Sequence, residues 1–502
     1  MQLDDNLNAG PDGVPSFIVQ KCSNELVYPI TYLFNKSLKD GKTPRIWLRS
    51  FIIPIFKKGS KSNVEDYRGV CKQSCIPKLL DFLSISYISQ SIPNVYSENQ
   101  HGFLKGRSTG TNLMLFTSFL INNVENGDQV DVIYTDFSKA FDRVNTNILC
   151  YKLKIIGFSE EYVSWIKSTL TNRTQYVIFN GTISDPIVVH SGVTQGSHCG
   201  PIYFNLFIND AANLLNKDDN LLLTLFFADD FKIARVIQSL NDCIKLQLDI
   251  NKFFKWTQDN RLYCNISKCS IISFNRKRCP LLRSYFLESY EINRVYTVMD
   301  LGVIFDDKMS FVNHINSVIA KCNKFLGFLN RNTRDIIDPY TNLILYYAFI
   351  RSKLEYCCYI WSPDYKIHIS RLERIQNRFS KQLLYKMNEQ IPIPNSSVRN
   401  QILGLTTLEN RRIIYDVLFF FDVLNNSINS STILDRFKIN IPSKNLRKTE
   451  FLNLSFHRTN YGLRDPFYRI SKNFNQFYSL FEFEMNRTEF KRVIYQKINN
   501  IS

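Results

Sequence analysis

The chain is 502 residues long, 44% hydrophobic and 14% aromatic, which is apolar material enough for about two or three domains with real cores. Its 62 Lys and Arg against 45 Asp and Glu leave a formal charge of +17, the balance expected of a protein that neutralises phosphates. No apolar run approaches the ~18–20 residues of a membrane span, and the polar, acidic start from Met1 to Gly13 is not a signal peptide. The chain therefore reads as intracellular, with no membrane partner. Its twelve cysteines lack paired spacing and read as reduced core residues. Cys71/Cys75 and Cys264/Cys269 lack the second ligand pair of a zinc site.

In chain order, the turn cluster Ala9-Gly10-Pro11-Asp12-Gly13 leads into an amphipathic helix expected over 17–38. A strand from Trp47 ends in Lys57-Lys58-Gly59 and is followed by Asp66-Tyr67-Arg68. Between Lys39 and Lys72 nine Lys or Arg stand against three Asp or Glu. Such a basic hairpin suits a triphosphate or a nucleic-acid backbone, and equally a plain solvated face. The glycine-rich loop from Gln100 to Gly110 opens a helix over 111–124, where free backbone N–H groups favour anions. The strand from Val130 then ends in Asp136. A glycine-punctuated loop from Ser191 to Pro201 starts a helix with Ile202, Leu206 and Phe207 on its apolar side. The apolar run Leu221–Phe227 meets Asp229-Asp230 and leaves again through Phe231-Lys232-Ile233. Adjacent strand residues point to opposite faces, so two neighbouring aspartates serve one site only from a turn. Bare carboxylates at the end of a buried hairpin call for a cation.

Seven blocks carry a resemblance: IIPIFKKG (52–59), QHGFLKGRST (100–109), YTDFSKAFDRVN (134–145), GVTQGS (192–197), FADD (227–230), SKCSIISF (267–274) and DLGVIFDDKMSF (300–311). In this order they resemble the reverse transcriptase of non-LTR, LINE-type retrotransposons, jockey-like elements above all, from about Gly10 to Trp361. Weaker similarity runs on to RTNYGLRDPFYR (458–469). The resemblance implies an α+β right-hand polymerase with fingers, a palm built on an antiparallel sheet and a helical thumb, plus a small basic C-terminal region. The expected boundaries are 1–130 for fingers and N-terminal helices, 131–311 for the palm, 312–430 for the thumb and 431–502 for the C-terminal region. The reverse transcriptase domain itself would span about 40–305.

Nucleotide addition by two divalent ions agrees with this pattern, since Mg²⁺ prefers carboxylate oxygens and retained water. Carboxylates on two adjacent strand ends supply that, with Asp136 and Asp229 bridging both ions and Asp230 adding to one. The resemblance implies the same three residues together with the main-chain carbonyl of Phe137, Mg²⁺ as cofactor with Mn²⁺ as its substitute, and Asp142 as a decoy with a structural role. It implies a triphosphate grip from Lys57 (with Lys58 as the other choice) and Arg68. Phe141 would be an aromatic plate under the incoming sugar, the competing reading being a core ring. Gln195 and Gly196 would lie against the template base and the nucleotide, and Leu301 and Gly302 in a hairpin that holds the primer end. Lys268 would protonate the departing pyrophosphate, or be a plain surface lysine. Partners follow as template RNA, a DNA primer and dNTPs, with a nuclear location when chromosomal DNA is the primer.

Three departures stand out. Thr194 replaces a usual Pro, His198 and Cys199 replace aliphatic residues, and Arg68-Gly69-Val70-Cys71 stands where Arg-Pro-Ile-Ser is usual. A decayed, RNA-binding derivative is the alternative these leave open, and an intron maturase would need further regions. Residues 441–502 carry eleven Lys or Arg against five Asp or Glu among many aromatics. That mixture suits single-stranded nucleic acid, and an ordinary small core equally well. With no endonuclease, zinc knuckle or ribonuclease H segment visible, the chain reads as a polymerase portion alone.

Overall fold

The computed structural model describes residues 7–92, 95–215, 219–387, 394–440 and 450–501. A five-stranded sheet lies at its centre, in the order Asn293–Arg294, Ser270–Phe274, Gln129–Thr135, Asp230–Ile237, Leu222–Phe227. All neighbours are antiparallel except the short Asn293–Arg294 edge, which runs parallel to Ser270–Phe274. Alternation along the strands sends side chains into two separate cores. Val130, Val132, Leu225, Ala234, Val236 and Ile272 face one, while Ile133, Phe226, Phe231, Ile233 and Ile271 face the other. A sheet buried on both faces needs nearly continuous apolar strands. That is why Leu221–Phe227 carries a single polar residue, Thr224.

On the first face lies the helix Thr109–Glu125, started by a capping box between Ser108 and Thr111 and buried along most of its length. Its far side meets the C-terminal part of the chain. Ser118 Oγ donates to Asp465 Oδ2 at 3.0 Å, and the Thr459 amide donates to Glu125 Oε1 at 2.9 Å. The helices Leu408–Leu424, Pro466–Phe477 and Arg487–Ile501 fill that side with rings. Phe420 and Phe474 stand 4.7 Å apart, and Phe421 and Phe490 stack at 5.0 Å. Most C-terminal aromatics are thus core, and only scattered rings such as Phe456 and Phe483 are exposed. The second face is covered by Thr146–Ile156, Glu160–Leu170, Cys199–Ile208 and Leu240–Asp259.

A second sheet holds the basic hairpin. Arg49–Phe56 pairs antiparallel with Tyr67–Lys72, placing Ile55 opposite Arg68, and parallel with Arg173–Phe179. The helix expected over 17–38 is two helices, Ser16–Lys21 and Ser23–Lys39, because Cys22 leaves helical geometry at φ −96°, ψ 27°. Long helices Val312–Asn332 and Lys366–Lys386 follow the central sheet and pack side by side. No helix among the described residues is long and apolar enough to cross a membrane, and all twelve cysteines are free thiols.

Gly110, in the first turn of the Thr109–Glu125 helix, is where Tyr359 presses on that helix, and an added Cβ would run into the tyrosine hydroxyl and ring. Overpacking of this kind costs about 1–3 kcal/mol. Gly110→Ala is expected to lower the unfolding free energy measured by urea titration by that much, and by less in a Tyr359→Leu background. Equal losses in both backgrounds would clear Tyr359.

Candidate active site

Ala228 and Asp229 join the strands Leu222–Phe227 and Asp230–Ile237, with Phe227 opposite Asp230. Ala228 takes φ +55°, the left-handed backbone that tight hairpins use and that costs a residue with a Cβ about 1–2 kcal/mol. The loop after Asn99 braces this turn. The Gln100 side-chain oxygen accepts from the amides of both Gly102 (2.7 Å) and Ala228 (3.1 Å). Phe226 bonds the backbone of Asn99 and His101, and Asn112 Nδ2 reaches the Phe226 carbonyl at 3.0 Å. Gly102 has to be glycine, because a Cβ there would collide with the Ala228 backbone. The anion-binding expectation for this loop is therefore corrected. Gln100 and His101 are buried, Ser108 occupies a free amide of the helix start, and Arg107 donates to the carbonyls of Ser97 and Gln100 at 2.7 Å.

Asp136 directly follows Thr135, whose partner across the ladder is Phe231, so it stands at the same sheet end as Asp230. Both line a cavity of about 170 Å³ together with Lys232, Lys268, Asp300 and Leu301. Burial first, then the charge of Asp229, pushes the Asp230 carboxyl up to about 6. Burial also raises Asp229, Asp136 adds to the rise, and Arg68 and Lys57 oppose it. Lys268 Nζ donates to Asp136 Oδ2 at 2.9 Å. A bridge beside Phe137 uses the Asp136 carbonyl, which accepts from the Asn265 amide at 2.6 Å, and leaves the Phe137 carbonyl outside the pairing. Among the described residues no three His, Cys, Asp or Glu side chains form a ready metal cage. The donor chemistry nevertheless fits a hard divalent ion: clustered carboxylates, of which Asp229 and Asp230 are raised by their acidic neighbours and Asp136 is paired, among the described residues, only with an exposed lysine.

Of the residues the resemblance assigns to nucleotide and primer, Lys268 and Leu301 line the cavity, and Lys57 and Arg68 are within electrostatic reach of Asp229. Lys57 and Arg68 are exposed on the basic hairpin, and both act on Asp229; no such influence of Lys58 is seen. Phe141 is half-buried, stacked on Phe204 at 4.5 Å with Phe103 edge-on at 6.1 Å. The Gln195 carbonyl accepts from the Cys71 amide at 2.8 Å, and Gly196, at φ +109°, leaves no room for a Cβ beside the Cys71 carbonyl. Gln195 Nε2 reaches Asp142 Oδ1 at 3.4 Å. Asp142 itself is exposed and does not line the cavity. Leu301 (φ +43°) and Gly302 (φ +85°) form the turn between Thr297–Asp300 and Val303–Asp306. Only Leu301 of the two lines the cavity, and its carbonyl accepts from the Tyr356 hydroxyl at 2.9 Å. Thr194, one of the three departures, has a job here: its hydroxyl accepts from buried Arg173, whose guanidinium also holds the Ser191 and Gly192 carbonyls.

Sequence reasoning missed the pair beneath the carboxylates. Lys232 and Asp300 are both buried, ion-paired at 2.5 Å, and Tyr134 donates to the same Asp300 oxygen at 3.2 Å. Lys232 lies two residues after Asp230, hence on the same face. Its signal was a lysine inside a strand that is otherwise buried on both faces, a charge that needs a partner.

An antiparallel sheet that brings carboxylates from two strand ends to one cavity, with a basic hairpin within electrostatic reach, defines the palm and fingers of a right-hand polymerase. Residues 55–329, more than half of the chain, match the family "Reverse transcriptase (RNA-dependent DNA polymerase)", and the chain belongs to that family. It is 23% identical over 392 residues to the RNA-directed DNA polymerase from mobile element jockey of Drosophila funebris, covering 74% of this chain and 42% of that protein. It is 25% identical over 388 residues to the probable RNA-directed DNA polymerase from transposon X-element of Drosophila melanogaster, covering 75% of this chain and 42% of that one. The chain thus spans well under half the length of these relatives.

A carboxyl raised from 3.8 to about 6 favours folding fully below pH 3.8, and that contribution is lost as pH rises through 6. Asp230→Asn, neutral and of the same shape, should therefore raise the melting temperature of the metal-free protein at pH 7.5 and leave it unchanged near pH 4. A shift of equal size at both pH values would show that the Asp230 charge is not the cause.

Proposed function

We propose that this chain copies RNA into DNA by extending a primer 3′ end. The observation that carries this reading is the meeting of Asp136, Asp229 and Asp230, from two neighbouring strand ends, in a member of the reverse transcriptase family. Divalent ions, Mg²⁺ with Mn²⁺ as a substitute, would activate the primer hydroxyl and neutralise the leaving pyrophosphate. Asp136, Asp229, Asp230 and the main-chain carbonyl of Phe137 would hold these ions, the first two shared between them. Lys57 and Arg68 draw in the triphosphate by charge-assisted bonds. Gln195 and Gly196 back the template base and the nucleotide, and Leu301 and Gly302 hold the primer end. Lys268, held among the described contacts only through Asp136 Oδ2, would protonate the departing pyrophosphate.

In this reading residues 1–130 form the fingers and N-terminal helices, 131–311 the palm and 312–430 the thumb, with 431–502 a basic C-terminal region. The groove of about 400 Å³ between Val312–Asn332 and Lys366–Lys386, lined by Arg371, Arg374 and Arg378, suits the backbone of an RNA–DNA duplex. Template RNA, a DNA primer and dNTPs are the partners, and a chromosomal primer makes the nucleus the place of reaction.

Primer extension on poly(rA)/oligo(dT) tests the proposal. Asp229→Asn and Asp136→Asn each keep the side-chain shape and remove the charge, and each should lower extension by roughly 10³-fold or more. Asp230→Asn is expected to be severe and milder. Near wild-type extension by Asp229→Asn would refute the site.

Phe141 separates two roles. As a steric plate against a ribose 2′-hydroxyl it acts by clash, and Phe141→Val should raise UTP relative to dTTP kcat/KM by about tenfold or more, worth ~1.4 kcal/mol. As packing on Phe204, its truncation lowers the melting temperature and both activities together. An unchanged ratio with a lowered melting temperature leaves Phe141 as packing.

A further inference from the structure

Away from the polymerase cavity, the helices Leu408–Leu424 and Pro466–Phe477 and the start of Lys366–Lys386 enclose a cavity of about 430 Å³, the size of a small-ligand site. It shares no lining residue with the cavity at Asp136 and Asp230. Arg412 lines it, is 5% exposed, and among the described residues makes no hydrogen bond and no ion pair. Its neighbours are satisfied. Arg469 Nε donates to Asp416 Oδ2 at 2.9 Å, Asn473 takes the same carboxylate oxygen at 2.8 Å, and Arg464 pairs with Asp364 at 2.7 Å.

Arginine does not shed its proton, so a guanidinium that lines this cavity and has no bonded counter-charge among the described residues favours an anion there. Three acidic groups face Arg412 and none bonds it: Asp416, one turn along the same helix, is taken by Arg469 and Asn473. Glu373 is committed to the Leu408 amide at 2.9 Å and to Gln376 at 3.2 Å. Glu409 stands exposed at the rim and is not paired with it. Lys472, exposed at the same mouth, is a second cation without an ion pair among the described residues. The lining carries Arg412, Arg464, Arg469 and Lys472 against Asp364, Glu409 and Asp416. The two carboxylates already paired leave an excess of positive charge. Tyr468, Ile413 and Leu463 supply an aromatic and aliphatic wall.

We infer that this cavity binds a nucleotide, with its phosphate on Arg412 and Lys472 and its base against Tyr468, Ile413 and Leu463. The guanidinium fork and the ammonium match phosphate oxygens, and the ring takes any base by stacking. The same chemistry is presented by a free mononucleotide and by one residue of a single RNA strand. The seat is independent of the Asp136–Asp229–Asp230 assignment.

The test is photolabelling of the full chain in EDTA, which silences metal-dependent nucleotide binding, with 8-azidoadenosine 5′-monophosphate and with an oligoadenylate carrying the same group. Adducts mapped by mass spectrometry should fall within 460–473 or at Ile413. Lys472→Gln, an exposed change that leaves primer extension intact, should weaken half-saturation by about tenfold. Glu409→Gln should tighten it, and Arg412→Gln should abolish labelling. Labelling by the monophosphate assigns a free nucleotide, and labelling by the oligomer alone assigns a strand. No adduct in these segments, or labelling indifferent to both Lys472→Gln and Glu409→Gln, overturns the proposal even if Arg412→Gln fails to fold. Asp229→Asn should keep the label while losing extension. An Asp229→Asn chain that still extends primers would sink the polymerase site and leave this one standing.

Discussion

Like charges forced together at the end of a buried sheet are the constraint on which the rest of this structure depends. Asp136 raises the proton affinity of Asp229, and both raise that of Asp230, so the scaffold has to hold them against their own repulsion. It does so largely with hydrogen bonds to the turn and with apolar packing, Lys268 on Asp136 being the direct counter-charge. The left-handed Ala228 is held by Gln100, the hairpin by the Asn99–His101 backbone, and both strands by apolar packing on two faces. Strain and repulsion concentrated at one turn are what a site organised for cations contains.

Counter-charge is placed one layer away. Lys232 is locked to Asp300 and Tyr134 beneath the carboxylates, so it steadies them without quenching them. The pair also fixes the Leu301–Gly302 turn to the strand that carries Asp230, because Asp300 is the residue before that turn. Lys268 differs: its side chain is half-exposed and held by Asp136 alone among the described contacts, a neutralising partner that is free to leave. One lysine is buried and locked in place, and the other is exposed and held by a single partner.

What was legible in the sequence was local. Asp229-Asp230 between two apolar runs, Asp136 at the end of a strand and the Lys57–Arg68 hairpin each announce themselves within about fifteen residues; the carboxylates lie at one end of the central sheet and the hairpin, in the second sheet, is within electrostatic reach of Asp229. What stayed hidden depends on partners far along the chain. Lys232 and Asp300 are 68 positions apart, and Gln100 reaches the Ala228 amide across 128. Read locally, Gln100 to Gly110 looked like an anion loop, since a glycine-rich helix start carries no mark of what will bury it. The break at Cys22 has no composition signal at all. The C-terminal aromatics could not be told from a stacking surface until Leu408–Leu424 supplied the rings they meet.

The helix Thr109–Glu125 is a shared wall, with the central sheet on one side and residues 457–477 on the other, joined through Glu125, Ser118 and Asp465. The span that identifies the family, 55–329, contains the wall but only one of its two rooms. An excised 55–329 fragment carries every proposed catalytic residue and yet presents a naked apolar flank to water, the template for self-association. Heredity and folding draw the borders of this chain in different places.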